Sequence, residues 1–431
     1  MSLTYNTFFM ALTTAAKMLS GIFVFVIMAR VLGPHDFGMV IYAFTLASIF
    51  VLLIDYGFSQ QLLREVGQAP EHVNQLMGRV FVAKIALSIM MFVICLIYLT
   101  FFLKDNMTVT VFLLLLISSV LASFSEFFNV GFRGVGQFSR ETNIATIGSV
   151  IHFSVLCSIL FINANVIWVS TGFILSRTIY LCISWFAYKR YIGQIKVEKN
   201  KQQIIKTLKT GFPYAADSGF TNFFQHIDTI IVNHYLGLAG VGLYQATTKW
   251  LHGAMQFAPI LANVYLPTLA AHTGSIETNK KYALKLNIQM LIIGTCGYIF
   301  FVFAGTYLSD FIYGEKYREI SSLWPVIGLL MLIKYIAASQ GVILAAYGKQ
   351  RTRVIGQILS LAVFTLSVIF FVPEFGLVGV LSALVLTFTS TFVFYNLCLI
   401  NFEYPTGFTR YLSVITTVWF LLAVLFTLYR A

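Results

Sequence analysis

The amino-acid sequence predicts an all-α polytopic membrane protein: two six-helix lobes related by a parallel pseudo-repeat, with a thirteenth span at the C-terminal end. Three observations carry this expectation. The 431 residues are 58% hydrophobic and 10% charged, whereas a soluble chain carries about 25% charged residues. Apolar runs long enough to cross a bilayer, about 18 residues or more, recur from end to end. The segments of about ten alternating apolar and polar residues that mark a membrane β-barrel are absent.

Thirteen spans follow in order: 8–31, 37–59, 80–103, 108–132, 142–162, 166–188, 211–236, 239–265, 284–308, 322–346, 354–372, 377–400 and 411–429. The first is too long for the apolar core of a signal peptide, and no small-residue cleavage site follows it. The loops orient the set. Those after even-numbered spans hold eighteen Lys and Arg residues, among them Arg64, Arg79, Arg133, Arg140, Lys280, Lys349 and Arg410. Those after odd-numbered spans hold only Arg30, Lys104, Lys316 and Arg318. Cations gather on the cytoplasmic side, so the even loops and the N-terminus are expected there. The net charge of +12 thus reads as orientation in a membrane and not as a nucleic-acid footprint. The basic stretch 191–210 separates six spans from six. The expected organisation is residues 1–190 as the N-terminal lobe, 191–210 as a cytoplasmic linker that can meet anionic lipid headgroups, 211–400 as the C-terminal lobe, and 401–431 as the extra span.

Two pairs of turns suggest that the lobes are repeats. Leu32-Gly33-Pro34-His35-Asp36-Phe37-Gly38 follows the first span, and Leu236-Gly237-Leu238-Ala239-Gly240-Val241-Gly242 follows the seventh, 204 residues later. Arg133-Gly134-Val135-Gly136 follows the fourth span, and Tyr347-Gly348-Lys349 follows the tenth. Matching turns lie on the same side because six is even, so the repeat is parallel, and a binding site between the lobes near mid-membrane is expected.

Charge inside a bilayer is costly, so each buried ionisable group is a functional hypothesis. The hairpin 211–265 concentrates them. Asp217, Thr221, Gln225 and Asp228 recur at helical spacing on its first arm; Gln245, Lys249, His252 and Gln256 do so on its second. Such stripes belong against each other or against water. Elsewhere the deep cations are Lys17, with Thr13 and Ser20 on its face, Arg177 and Lys334. The clear deep acid is Asp228; Asp55, Glu126 and Asp217 lie nearer the cytoplasmic helix ends. A cavity lined by this set would be net positive and would favour an anionic passenger such as a phosphate or pyrophosphate. The plainer alternatives are a structural Lys249–Asp228 pair, a snorkelling Lys334 and histidines that only bond neighbouring helices. Pro213 and Pro259 are candidate hinges or static kinks. Cys95, Cys157, Cys182, Cys296 and Cys398 read as small core residues, with no CxxC pair and no metal site. No P-loop, HExxH or GxSxG motif is present, so no cofactor is expected and the energy should come from an ion gradient, the membrane potential or consumption of product.

The stretch from Leu32 to Val66, with its LGxxxFG turn, Asp55-Tyr56-Gly57-Phe58 and Arg64-Glu65, resembles the start of bacterial Wzx-type O-antigen and polysaccharide flippases. The second hairpin, with the later Leu266-Pro267-Thr268-Leu269-Ala270, resembles the seventh and eighth helices of the same family, and the resemblance covers spans one to twelve. It implies the multidrug/oligosaccharidyl-lipid/polysaccharide exporter superfamily, with two six-helix lobes around a central cavity. It implies transport of undecaprenyl-pyrophosphate-linked oligosaccharide units to the periplasmic leaflet of the inner membrane, by alternating access coupled to a proton or sodium ion. Cationic residues on the first and eighth helices would hold the pyrophosphate-sugar head, here Lys17 and Lys249, with Lys334 and Arg177 as further cations. Asp228 and Asp217 would be the coupling acids. A polysaccharide polymerase and chain-length regulator would be further partners. The competing expectations are a drug/cation antiporter of the same fold and a membrane glycan polymerase or ligase. The latter would want a large external loop, which the sequence lacks. The thirteenth span departs from the family's usual twelve or fourteen.

Overall fold

The computed structural model describes residues 3–102, 105–197, 201–224 and 226–401. The expected span 411–429 and Gln225 lie outside them. The described chain is helical, without strands. In order the helices are α1 Leu3–Leu32, α2 Pro34–Asp55, α3 Phe58–Gln68, α4 Val73–Phe102, α5 Asn106–Gly134, α6 Phe138–Ile162, α7 Val166–Tyr191, α8 Lys201–Phe224, α9 Ile227–Ala254, α10 Phe257–Ala271, α11 Ile276–Ile312, α12 Trp324–Ala346 and α13 Gln350–Asn401. Among the described residues, ten helical segments are long and apolar enough to cross a membrane, not twelve separate ones. Two of the ten are continuous across a glycine bend, Ile227–Ala271 at Gly237 and Gln350–Ile400 at Gly376. The expected spans 354–372 and 377–400 are therefore the two arms of α13. The expected seventh span, 211–236, is not one helix: α8 ends at Phe224 and α9 starts at Ile227.

The chain forms two compact units, Met1–His234 and Tyr235–Ala431. In the first, α5 is central and packs on α2, α3 and α7, while α1 packs on α6. The short α3 is amphipathic. It turns Phe58, Gln61, Leu62 and Val66 inward, onto a core that includes Met77, Phe127, Phe132 and Tyr188. Outside the spans, Asp105 caps α5: its Oδ2 accepts the Thr108 N–H at 2.8 Å and the Thr108 hydroxyl at 2.6 Å. Those bonds hold its carboxyl below the usual carboxylate range. In the second unit α12 is the buried helix, covered by α10, α11 and α13, with Trp324 stacked on Phe301 at 5.5 Å.

The paired turns match in backbone detail. Gly33 (φ 81°, ψ 172°) and Gly237 (φ 67°, ψ −171°) occupy the same region, one essentially restricted to glycine. At the other pair, the N–H groups of Val135, Gly136 and Gln137 bond the carbonyls of Gly131, Arg133 and Phe132 at 3.2, 3.0 and 2.9 Å. Those of Tyr347, Gly348 and Lys349 bond Ile343, Ala345 and Leu344 at 3.2, 3.0 and 3.0 Å. Both are Schellman-type helix ends, and every partner is shifted by 212 positions.

The break between α2 and α3 is built differently. Tyr56 (φ 43°) and Gly57 (φ 67°) are both left-handed, and a Cβ on Gly57 would stand 2.4 Å from the Tyr214 carbonyl carbon of α8. Around this approach Gln61 donates to Thr210 at 3.1 Å and Arg64 to the Tyr214 hydroxyl at 2.9 Å. Gly57→Ala should therefore cost more than the left-handed penalty of about 1–2 kcal/mol, because the α8 backbone must also retreat. Gly136→Ala, with φ 75° and open space around it, should cost that penalty alone. Thermal melts of the two purified variants in one detergent check the order, and equal losses would contradict the close packing of α8 on Gly57.

Candidate functional site

In the first unit the site is organised by one face of α5. Ser119, Ser123, Glu126, Asn129 and Arg133 recur at three- and four-residue spacing and so lie on one stripe. Glu126 is its centre. Lys17 of α1 approaches its Oε2 at 3.0 Å, and Arg133 bonds its Oε1. The Lys17 and Glu126 side chains keep 38% and 36% of their surface open. Above this pair the Thr13 hydroxyl lies 3.1 Å from Glu141 Oε2 and 2.8 Å from Thr142 Oγ1. Ser20 donates to the Ser149 carbonyl at 2.9 Å. The polar neighbours of Lys17 thus join α1 to α6. Asn129 donates to the Tyr180 hydroxyl at 2.6 Å, tying α5 to α7.

A second buried group meets the same stripe of α5 at Ser123. Lys84 of α4 is 2% exposed. Its ammonium meets Asp55 at 2.8 Å and Ser123 at 2.6 Å, and Ser123 itself donates to Asp55. The ring of Phe124 lies 5.4 Å away. Sequence reasoning missed Lys84, Glu141 and the role of Arg133, which had been assigned to a loop and instead ends α5. The signal was available in the spacing of polar residues along α5. Which cations reach that stripe is a tertiary fact.

Arg177 of α7 is half-buried, within electrostatic reach of His152 and Tyr180. His152 faces Ser176 at 2.9 Å and so joins α6 to α7. The expected stripe Asp217, Thr221, Gln225, Asp228 does not survive as one helical face, because the helix is interrupted between Phe224 and Ile227. Asp217 stays on α8. Asp228 stands in the first turn of α9, where it accepts the Thr229 N–H at 2.6 Å. A carboxylate at a helix start is favoured by the backbone donors there.

In the second unit Gln245, Lys249 and His252 share one face of the later arm of α9, while Gln256 falls beyond its end, at the start of α10. The structure brings Lys334 of α12 to this face. His252 is within electrostatic reach of both Lys249 and Lys334. Lys334 is half-buried and rests 4.6 Å above the Phe388 ring, a cation–π contact. Tyr335, next to Lys334, donates its hydroxyl to the Ala254 carbonyl at 2.6 Å. That carbonyl belongs to the broken end of α9, so this bond registers α12 against the lysine-bearing arm. Trp250 donates to the Tyr313 hydroxyl at 2.9 Å, which donates on to the Ala246 carbonyl at 3.0 Å.

A family model described as "Polysaccharide biosynthesis protein" matches residues 3–273. The chain belongs to the polysaccharide biosynthesis protein family. A comparison with curated protein sequences finds no significant match. Solved structures share the fold of this polysaccharide biosynthesis family member. An inward-facing multidrug resistance MATE family transporter of the MOP superfamily aligns at TM-score 0.69 and 14% identity, over 88% of this chain and 93% of the other. A MOP superfamily transporter from Pyrococcus furiosus, reported for the reversed polarity of its binding pocket, aligns at 0.59 and 15%, over 93% and 95%. An outward-facing MATE family transporter aligns at 0.57 and 16%, over 92% and 95%. The fold is that of multi-pass membrane transporters.

Removing one partner of a buried ion pair strands the other, at a cost of about 3–5 kcal/mol, whereas replacing both by apolar groups is often neutral. Asp55→Asn should accordingly destabilise the first unit, by somewhat less than that range because Asp55 is 44% exposed. Lys84→Met combined with Asp55→Leu should recover most of the loss. Melting temperatures of the single and double variants check this, and a double variant no better than the single would show that the pair is not what holds α2, α4 and α5 together.

Proposed function

We propose that the protein is a flippase that moves undecaprenyl-pyrophosphate-linked oligosaccharide units, of O-antigen or a similar surface polysaccharide, from the cytoplasmic to the periplasmic leaflet of the bacterial inner membrane. The gathering of Lys249, His252 and Lys334 from two helices of the second unit carries this reading. Basic groups gathered inside a membrane protein need a function to offset their cost, and a pyrophosphate head is the anionic cargo expected of a polysaccharide biosynthesis family member. Lys17 and Arg177 extend the cationic set into the first unit. Alternating access would supply the movement, and Asp228, with Asp217, would bind the coupling proton or sodium ion. The N-terminus would lie in the cytoplasm, and polymerase and chain-length regulator would receive the product. The competing reading, a drug/cation antiporter, has the MATE transporter fold in its favour, and the basic cluster argues against a cationic passenger.

A deletion strain distinguishes them. Loss of surface polysaccharide, with single lipid-linked units trapped on the cytoplasmic face, is the outcome expected of a flippase. Normal polysaccharide with altered drug tolerance would select the antiporter, and unpolymerised units on the periplasmic face would select a polymerase. In the complemented strain Lys249→Glu should abolish polysaccharide export at normal protein level, and wild-type export would remove Lys249 from the site. Asp228→Asn should flatten the dependence of transport on pH or sodium. An unchanged dependence would leave Asp228 a structural acid in the first turn of α9.

A further inference from the structure

Glu126 is placed as a bound anion would be. Two cations from different helices, Lys17 of α1 and Arg133 of α5, converge on its two oxygens, one cation to each. A phosphate oxygen pair would be gripped in the same way. Two further observations point past a static pair. Arg133 Nε is buried without a hydrogen-bond partner among the described residues, so the guanidinium has a donor that the carboxylate does not use. Glu126 and Lys17 both keep about a third of their side-chain surface open, so a ligand can reach them. The charges nearby are Glu141, 1% exposed, with Oε1 unpartnered among the described residues, and the neutral Tyr180–Asn129 pair. In formal charge Glu126 and Glu141 match Lys17 and Arg133.

We propose that Glu126 is an internal counter-ion that occupies an anion site formed by Lys17 and Arg133, and that an incoming phosphate or pyrophosphate group must displace it. The inference rests on the flippase reading for the identity of the anion. The tethered carboxylate competes with the ligand at very high effective concentration. It keeps affinity low when the site is empty and returns to its cations when the anion leaves, so the site empties readily. Arg133 lies at the end of α5 that the loop cations assign to the cytoplasm, where a lipid-linked head would arrive. A carboxylate that served only to join α1 to α5 would raise no affinity when removed. A competing one would.

The test uses the purified full-length protein in detergent and measures binding of geranyl pyrophosphate by calorimetry at low salt. Glu126→Gln should bind at least tenfold more tightly than wild type. Adding Lys17→Gln to it should erase the gain. Glu126→Asp, which retains charge but cannot span both cations, should fall between, and it stands in should the Gln variant fail to fold. In cells, Glu126→Gln should slow export, because release is hindered. Wild-type binding with no gain in a folded Glu126→Gln, or in a folded Glu126→Asp where the Gln variant does not fold, would overturn the counter-ion role and leave the flippase reading intact. A wild type and variants that all fail to bind the pyrophosphate would overturn both.

Discussion

An ionised group surrounded by helices inside a bilayer must find its opposite charge or a full set of hydrogen bonds, since no solvent will supply them. In the first unit that constraint sets helix positions. Glu126 fixes α5 to α1 through Lys17 and anchors the end of α5 through Arg133. Thr13 and Ser20 carry α1 onto α6, Asn129 carries α5 onto α7, and the Lys84–Asp55–Ser123 triangle holds α2 and α4 to the same α5. Apolar packing could slide by a helical turn against any of these neighbours at modest loss. Each polar contact is specific to one register, and together they leave α5 one position.

The second unit solves a related problem with different groups. The break after Ala254 frees a carbonyl, and Tyr335 bonds it. Because Lys334 precedes Tyr335 in α12, the bond that repairs the break also sets the distance between Lys334 and the Lys249–His252 face. The repair of the break and the placing of Lys334 share one tyrosine. Lys334 then rests its charge on the face of Phe388, which attracts a cation without neutralising it.

What was legible in the sequence follows the same division. The turns around Gly33 and Gly237, and around Gly136 and Gly348, were readable because their backbones demand glycine, so the residue reports the geometry directly. Helical class and the polar face of Lys249 and His252 were readable from composition and period. The break between Phe224 and Ile227 was not, since no proline or glycine marks it and Asp228 looks like a stripe member until the helix start is seen. Thr13 and Ser20 were legible as sharing a face of α1, but what that face meets was not. Spacing defines a face, and only packing decides whether that face meets water or, as here, Glu141 and Ser149. Lys84 went unnoticed because its acid is 29 residues away, beyond any local pattern.

The matched turns and the unmatched charges bear on how such a fold is put to use. The turn geometry recurs between the halves nearly bond for bond, and the fold recurs in transporters only 14–16% identical. The charges do not recur: the first unit holds a balanced quartet of Lys17, Arg133, Glu126 and Glu141, and the second gathers Lys249, His252 and Lys334. Backbone demands are met by a few glycines and leave side chains free. Altering a handful of buried charges therefore changes what the protein can hold without disturbing the helices that carry them.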